Sequence, residues 1–119
     1  MTKQVHLAAH FPGVNNTTVW SDPAAGSHIE FDSFSRFAQT AERGKFDVLF
    51  LADAIGLRDQ ETSEQLSRSP ITANLEPLAL LSALSVVTSR IGLAATASTT
   101  YNEPYHIARK FASPRERAR

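Results

Sequence analysis

Residues 46–52 read Phe-Asp-Val-Leu-Phe-Leu-Ala, a nearly continuous β-prone run rather than an alternating one. Such a run is expected of a strand covered on both faces in a parallel sheet. Parallel neighbours cannot be joined by a tight hairpin; each pair needs a crossover of about a dozen residues or more, usually a helix. The chain has strands to pair with on either side. Val5, Leu7, Ala9 and Phe11 alternate with His6, Ala8 and His10 until Pro12-Gly13 stops them, which predicts a strand over Val5–Phe11. A third strand, rich in small residues, is predicted over Ile91–Ala97.

The crossovers are legible too. Phe34, Phe37, Ala38 and Ala41 make the i, i+3, i+4, i+7 stripe of a helix, with Arg36, Gln39, Glu42 and Arg43 facing away. Asp32 or Ser33 supplies the N-cap and Gly44 the stop. Glu76 and Pro77 open a second helix, Leu78–Ser89, whose buried stripe is Leu80, Leu81, Leu84 and Val87. Pro104 begins a third helix running through Phe111. Residues 54–75 are polar and irregular, interrupted by Pro70.

The order is therefore strand, helix, strand, helix, strand, helix, which favours an α/β fold with a parallel sheet and right-handed crossovers. Strand starts near 5, 46 and 91 carry no internal sequence repeat. A complete (β/α)8 TIM barrel needs eight such units in about 250 residues. With 119 residues, the chain is expected to form the first three βα units of a barrel, a partial barrel, or alternatively a small open sheet.

Composition narrows the function. Twelve basic and twelve acidic residues cancel, so the chain offers no overall footprint for nucleic acid or an anionic membrane. Residues 104–119 hold five basic side chains against Glu116, a solvated end in the plainest reading. Zero cysteines exclude a disulfide scaffold, thiolate catalysis and Cys-based zinc sites. Neither a secretory signal nor a membrane-spanning run is found, which predicts a cytoplasmic protein; the Asn-x-Thr matches at Asn15 and Asn16 read as a polar loop.

Ligands of parallel α/β folds bind beyond the carboxyl ends of the strands. That points to the segment from His10 to Asn16, to Asp53, and to the run from Thr96 to Pro104. The five glycines fit neither GxGxxG nor GxxxxGK[ST], so those phosphate loops are absent. Small residues from Ala94 to Ala97 let a flat ring approach the backbone, and Ser98, Thr99 and Thr100 offer hydroxyls; the same cluster can equally form an ordinary turn. Asp53 could accept hydrogen bonds from a ligand or cap a turn. His6 and His10 share a strand face but lie roughly 13 Å apart, too far to hold one metal ion together. His28 and His106 read as surface residues, and Trp20 as a hydrophobic lid residue.

Several motifs in order carry a resemblance: His10 to Pro23, Gln39 to Asp53, Glu76-Pro77-Leu78, Ser89 to Thr100, and Asn102 to Ser113. Together they resemble the flavin-dependent monooxygenases of the nitrilotriacetate, pristinamycin and dibenzothiophene-sulfone monooxygenase group, in the bacterial-luciferase-like superfamily. The resemblance implies a barrel that uses reduced FMN and dioxygen to oxygenate a small organic substrate, the FMN being reduced by a separate NAD(P)H:flavin reductase. It further implies a homo-oligomer for a full-length member; the balanced charge predicts no nucleic-acid or membrane partner. By motif position Asp53 and Thr99 are the foremost FMN contacts, followed by Ser98 and Thr96. Where the wider superfamily often has Glu-His-His, this chain has Asp53-Ala54-Ile55, so no catalytic histidine carries over.

The resemblance spans residues 1–113 and stops at an Arg-rich tail, 114–119. Family members continue past Phe-Ala-Ser with Leu-Asp-His-Leu-Ser-Gly-Gly-Arg, so the switch points to a frameshift, a truncated gene or a gene-model error. The leading expectation is an N-terminal fragment of an FMN-dependent monooxygenase, inactive alone. A metal-dependent hydrolase on a similar barrel, prompted by His6, His10 and Asp53, and a fragment without activity of its own are the alternatives.

Overall fold

The computed structural model describes residues 3–11, 29–53, 62–64 and 75–113. Trp20, His28, Asn15, Asn16, Pro70 and the Arg-rich tail lie outside the described residues. Three strands, β1 (Ala8–His10), β2 (Val48–Leu51) and β3 (Gly92–Ala95), alternate with three helices, α1 (Phe31–Arg43), α2 (Pro77–Val87) and α3 (Pro104–Ala112). All pairing is parallel, in the order β1-β2-β3. Ala8 stands opposite Val48 and His10 opposite Phe50; Val48 faces Gly92, and Leu51 faces Ala95.

Consecutive parallel neighbours joined by right-handed crossovers place both connecting helices on the same side of the sheet. Burial follows that rule. Leu49 and Leu51 are buried in one core with Phe34, Ala38 and Ala41 of α1 and Leu80, Leu81 and Leu84 of α2, while Phe37 and Val87 pack at its margin. Val48 and Phe50, on the other face, are only half-buried. The run predicted to be covered on both faces is thus helix-covered on one; its second apolar face is the side that points into a barrel, where side chains fill the interior in layers.

β1 is shorter than the predicted Val5–Phe11 because only Ala9 and Phe11 of the alternating set join the core; Val5 and Leu7 remain exposed. Phe11 turns toward α1, its ring stacked on Phe34 at 4.1 Å and edge-on to Phe37 at 5.4 Å. α1 begins at Phe31 with Glu30 as N-cap, which places Asp32 in the first turn where its charge complements the helix dipole. Glu76 caps α2: its Oε2 accepts from the Ala79 amide at 2.7 Å, and Pro77 occupies the first turn. No residue of α3 is buried. Among the described residues no helix is long and apolar enough to cross a membrane.

Two residues of α1 expected to face away instead reach across to the next unit. Glu42 Oε1 accepts the successive amides of Ser89 (2.8 Å), Arg90 and Ile91 (3.0 Å), the turn that launches β3. Gln39 Nε2 donates to the Val87 carbonyl at the end of α2, 3.2 Å away. At the head of β2, Asp47 Oδ2 accepts from the Leu7 amide (2.8 Å), and the Asp47 carbonyl accepts from the Gly92 amide (2.7 Å). A Cβ on Gly92 would lie 3.1 Å from that same carbonyl, so glycine permits the close approach.

α1 ends in a Schellman motif: the Phe46 amide donates to the Ala41 carbonyl and the Lys45 amide to the Glu42 carbonyl, each at 3.1 Å. The residue at positive φ is Lys45 (62°), whereas Gly44 has φ −73°. Glycine at 44 nevertheless matters sterically, since a Cβ there would come 3.3 Å from the Thr40 carbonyl.

Two outcomes are expected. Lys45→Gly removes the left-handed penalty of a side chain and raises stability by about 1 kcal/mol in denaturant titrations. Amide donation, chiefly from Arg90 and then from Ile91 and Ser89, holds the Glu42 carboxyl below its ordinary value of 4.5. The stabilisation is therefore complete above that value and is lost as pH falls through the lower folded value. Glu42→Gln should cost about 1 kcal/mol at neutral pH, at the low end because the carboxylate is solvent-accessible, and should flatten the acid limb of the stability curve.

Candidate functional site

Parallel pairing in one register puts the carboxyl ends of all three strands along one edge of the sheet. The ladder continues one step past β3, where the Thr96 amide donates to the Leu51 carbonyl at 3.0 Å. This bond sets the exits of β2 and β3 side by side. Asp53 is half-buried two residues beyond β2; Thr96 is exposed, Ser98 half-buried and Thr99 exposed on the segment leaving β3. All four predicted residues thus sit at this edge, on two adjacent strands.

The loop after β3 is fixed from within. Asn102 Nδ2 donates to the Ser98 carbonyl at 2.9 Å, folding the Ser98–Asn102 segment back on itself just before Pro104 starts α3. Asn102 was not singled out from sequence; an Asn two residues beyond the Ser98–Thr100 cluster, able to reach a nearby carbonyl, was the available signal. Ala94 and Ala95 carry only methyl groups at the end of β3, Ala95 packing against the helix-side core.

The histidines separate. His6 lies at the opposite end of the sheet, its Nδ1 3.5 Å from Asp47 Oδ1. The Leu7 amide and then His6 hold the Asp47 carboxyl below its ordinary value. His10 stands at the carboxyl edge, its ring 5.8 Å from that of Phe50 and tilted by 36°. His106 is exposed on α3, near Tyr105. Among the described residues no three His, Asp or Glu side chains are grouped to hold a metal ion.

Parallel strands with crossover helices on one face form the first units of a partial (β/α)8 barrel, with a carboxylate and hydroxyls at the strand carboxyl ends. A profile described as luciferase-like monooxygenase matches residues 10–113, and the chain belongs to that family. It is 47% identical over 114 residues to the N-acetyl-S-(2-succino)cysteine monooxygenase of Bacillus subtilis, covering 93% of this chain and 24% of that protein. To nitrilotriacetate monooxygenase component A of Aminobacter aminovorans it is 45% identical, covering 79% of this chain and 22% of the relative. A crystal structure of a long-chain alkane monooxygenase superposes with a TM-score of 0.75 at 32% identity, covering 96% of this chain and 28% of that one. A riboflavin lyase crystallised with modified FMN and riboflavin gives the same TM-score at 28% identity, covering 94% and 27%. The chain spans about a quarter of the length of these relatives. None of these similarities favours the hydrolase alternative.

Removing the Asn102 amide should loosen the loop without unfolding the sheet. Asn102→Ala is expected to cost about 1 kcal/mol locally, read as faster amide hydrogen exchange over residues 98–102 with unchanged protection in β2.

Proposed function

We propose that this chain supplies the flavin-holding N-terminal units of an FMN-dependent monooxygenase that oxygenates a small organic substrate with dioxygen. The observation that carries the reading is the gathering of Asp53, Thr96, Ser98 and Thr99 at one sheet edge in a chain of this family. The donor set fits a flavin. A carboxylate accepts hydrogen bonds from a ring N–H or a ribityl hydroxyl, and Ser and Thr hydroxyls donate to ring carbonyls. In this reading the methyl of Ala94 at the end of β3 admits a flat ring.

Reduced FMN, when bound, supplies the electrons for splitting dioxygen; the protein binds, orients and keeps water out. In our reading Asp53 and Thr99 are the principal contacts, Ser98 and Thr96 secondary ones, and Asn102 holds the loop that presents Ser98 and Thr99. A separate NAD(P)H:flavin reductase would deliver the reduced cofactor to the cytoplasmic, full-length homo-oligomer. Two relatives are named for carboxylate-bearing molecules, nitrilotriacetate and N-acetyl-S-(2-succino)cysteine, which supports small organic carboxylates as the substrate class.

Residues 1–113 grafted onto the remaining barrel units of a relative provide the test. Reduced-flavin binding and oxygenase turnover are expected in the graft, and Asp53→Ala should weaken flavin binding by roughly ten- to hundredfold, about 1–3 kcal/mol, with little change in stability. Equal flavin affinity with and without the Asp53 carboxylate would remove Asp53 from the site. The 119-residue chain by itself should bind FMN only in roughly the millimolar range, because late-strand contacts of about 1 kcal/mol each are not supplied. A micromolar complex by fluorescence quenching would contradict this.

A further inference from the structure

One row of side chains crosses all three strands on the face opposite the helices: His10, Phe50 and Ala94, aligned by the parallel register. All three are half-buried. Phe50, in the middle of the row, carries the largest of the three side chains, flanked by the smaller imidazole of His10 on β1 and the methyl of Ala94 on β3. His10 makes a ring contact with Phe50, the centroids 5.8 Å apart. Strands lie about 4.8 Å apart, so His10 stands roughly 10 Å from Ala94. The residues assigned above to flavin leave β2 and β3; His10 leaves β1, on the far side of β2.

We propose that His10 determines substrate specificity by donating an imidazole N–H to a carboxylate of the substrate, whose apolar portion rests against Phe50. The assignment rests on the flavin reading above, which places the cofactor toward β3 and leaves the β1 side of the rim to the second reactant. A hydrogen bond to a charged acceptor is about twice as strong as one between neutral groups, so a carboxylate is the group an imidazole distinguishes best from a neutral analogue.

The experiment uses the 119-residue chain, with histidine ring and backbone NMR signals followed during titration with succinate, with succinamide as its neutral counterpart, and separately with FMN. Succinate at millimolar concentration is expected to shift the His10 ring signals, and succinamide much less. His10→Ala should lower succinate affinity about fivefold to tenfold while changing FMN affinity less than twofold; His10→Gln, which keeps a donor, should recover part of the loss, and His106→Ala should behave as the parent chain. Equal succinate affinity in the parent and His10→Ala, no His10 shift with succinate, or an equal loss of FMN affinity in His10→Ala would each overturn the proposal. FMN shifts at Asp53, Thr96, Ser98 and Thr99 without any succinate response would leave the flavin reading standing alone. A His10-dependent succinate response with no FMN shifts would sink the flavin reading and keep His10 as the carboxylate contact.

Discussion

Strand β2 is hydrogen-bonded on both sides, to β1 and to β3, and the described architecture depends on that double pairing. Parallel strands must all run the same way, so pairing alone sends every carboxyl end to one edge. The helices follow. A crossover between neighbouring parallel strands has a strongly preferred hand, and two such crossovers in succession lay α1 and α2 on the same face, where Leu49, Leu51, Leu80, Leu81 and Leu84 share one core. The opposite face is left for half-buried residues, His10 and Phe50 among them.

Register along β2 is reinforced at its lower end by two carboxylates that serve as acceptors for backbone amides. Asp47 receives the Leu7 amide from the β1 side, and Glu42 receives three consecutive amides at the start of β3. Each carboxylate, Asp47 exposed and Glu42 half-buried, takes up backbone donors that the sheet ladder does not use. A slip of one residue would turn Leu49 and Leu51 out of the core, so burial and hydrogen bonding favour the same register. The upper rim inherits its arrangement from this lower clamp: once Gly92 is set against Asp47, Thr96 must emerge beside Leu51.

Much of this was legible in the amino-acid sequence. The stripes Phe34-Phe37-Ala38-Ala41 and Leu80-Leu81-Leu84-Val87 declare their buried sides because helical period and burial are the same fact. The position of Asp53 and of Thr96–Thr99 beyond strand ends could be read from the apolar runs that precede them. Glu42 and Gln39 escaped that reasoning. Their spacing puts them off the apolar stripe, and period alone does not tell solvent from a neighbouring backbone carbonyl or amide. The left-handed residue was hidden as well, since Gly44 answers a steric demand while Lys45 takes the positive φ.

What the sequence determined by itself was local: which segments are strands and helices, which helix faces are apolar, and which residues sit at strand ends. These follow from interactions between near neighbours and from hydrophobic period. The tertiary structure decided what required residues forty to fifty positions apart to meet: the union of Glu42 with residues 89–91, the placement of both helices on one face, and the row of His10, Phe50 and Ala94. Such partners are chosen by strand pairing and crossover hand, which are properties of the assembled sheet and are not written in any single segment.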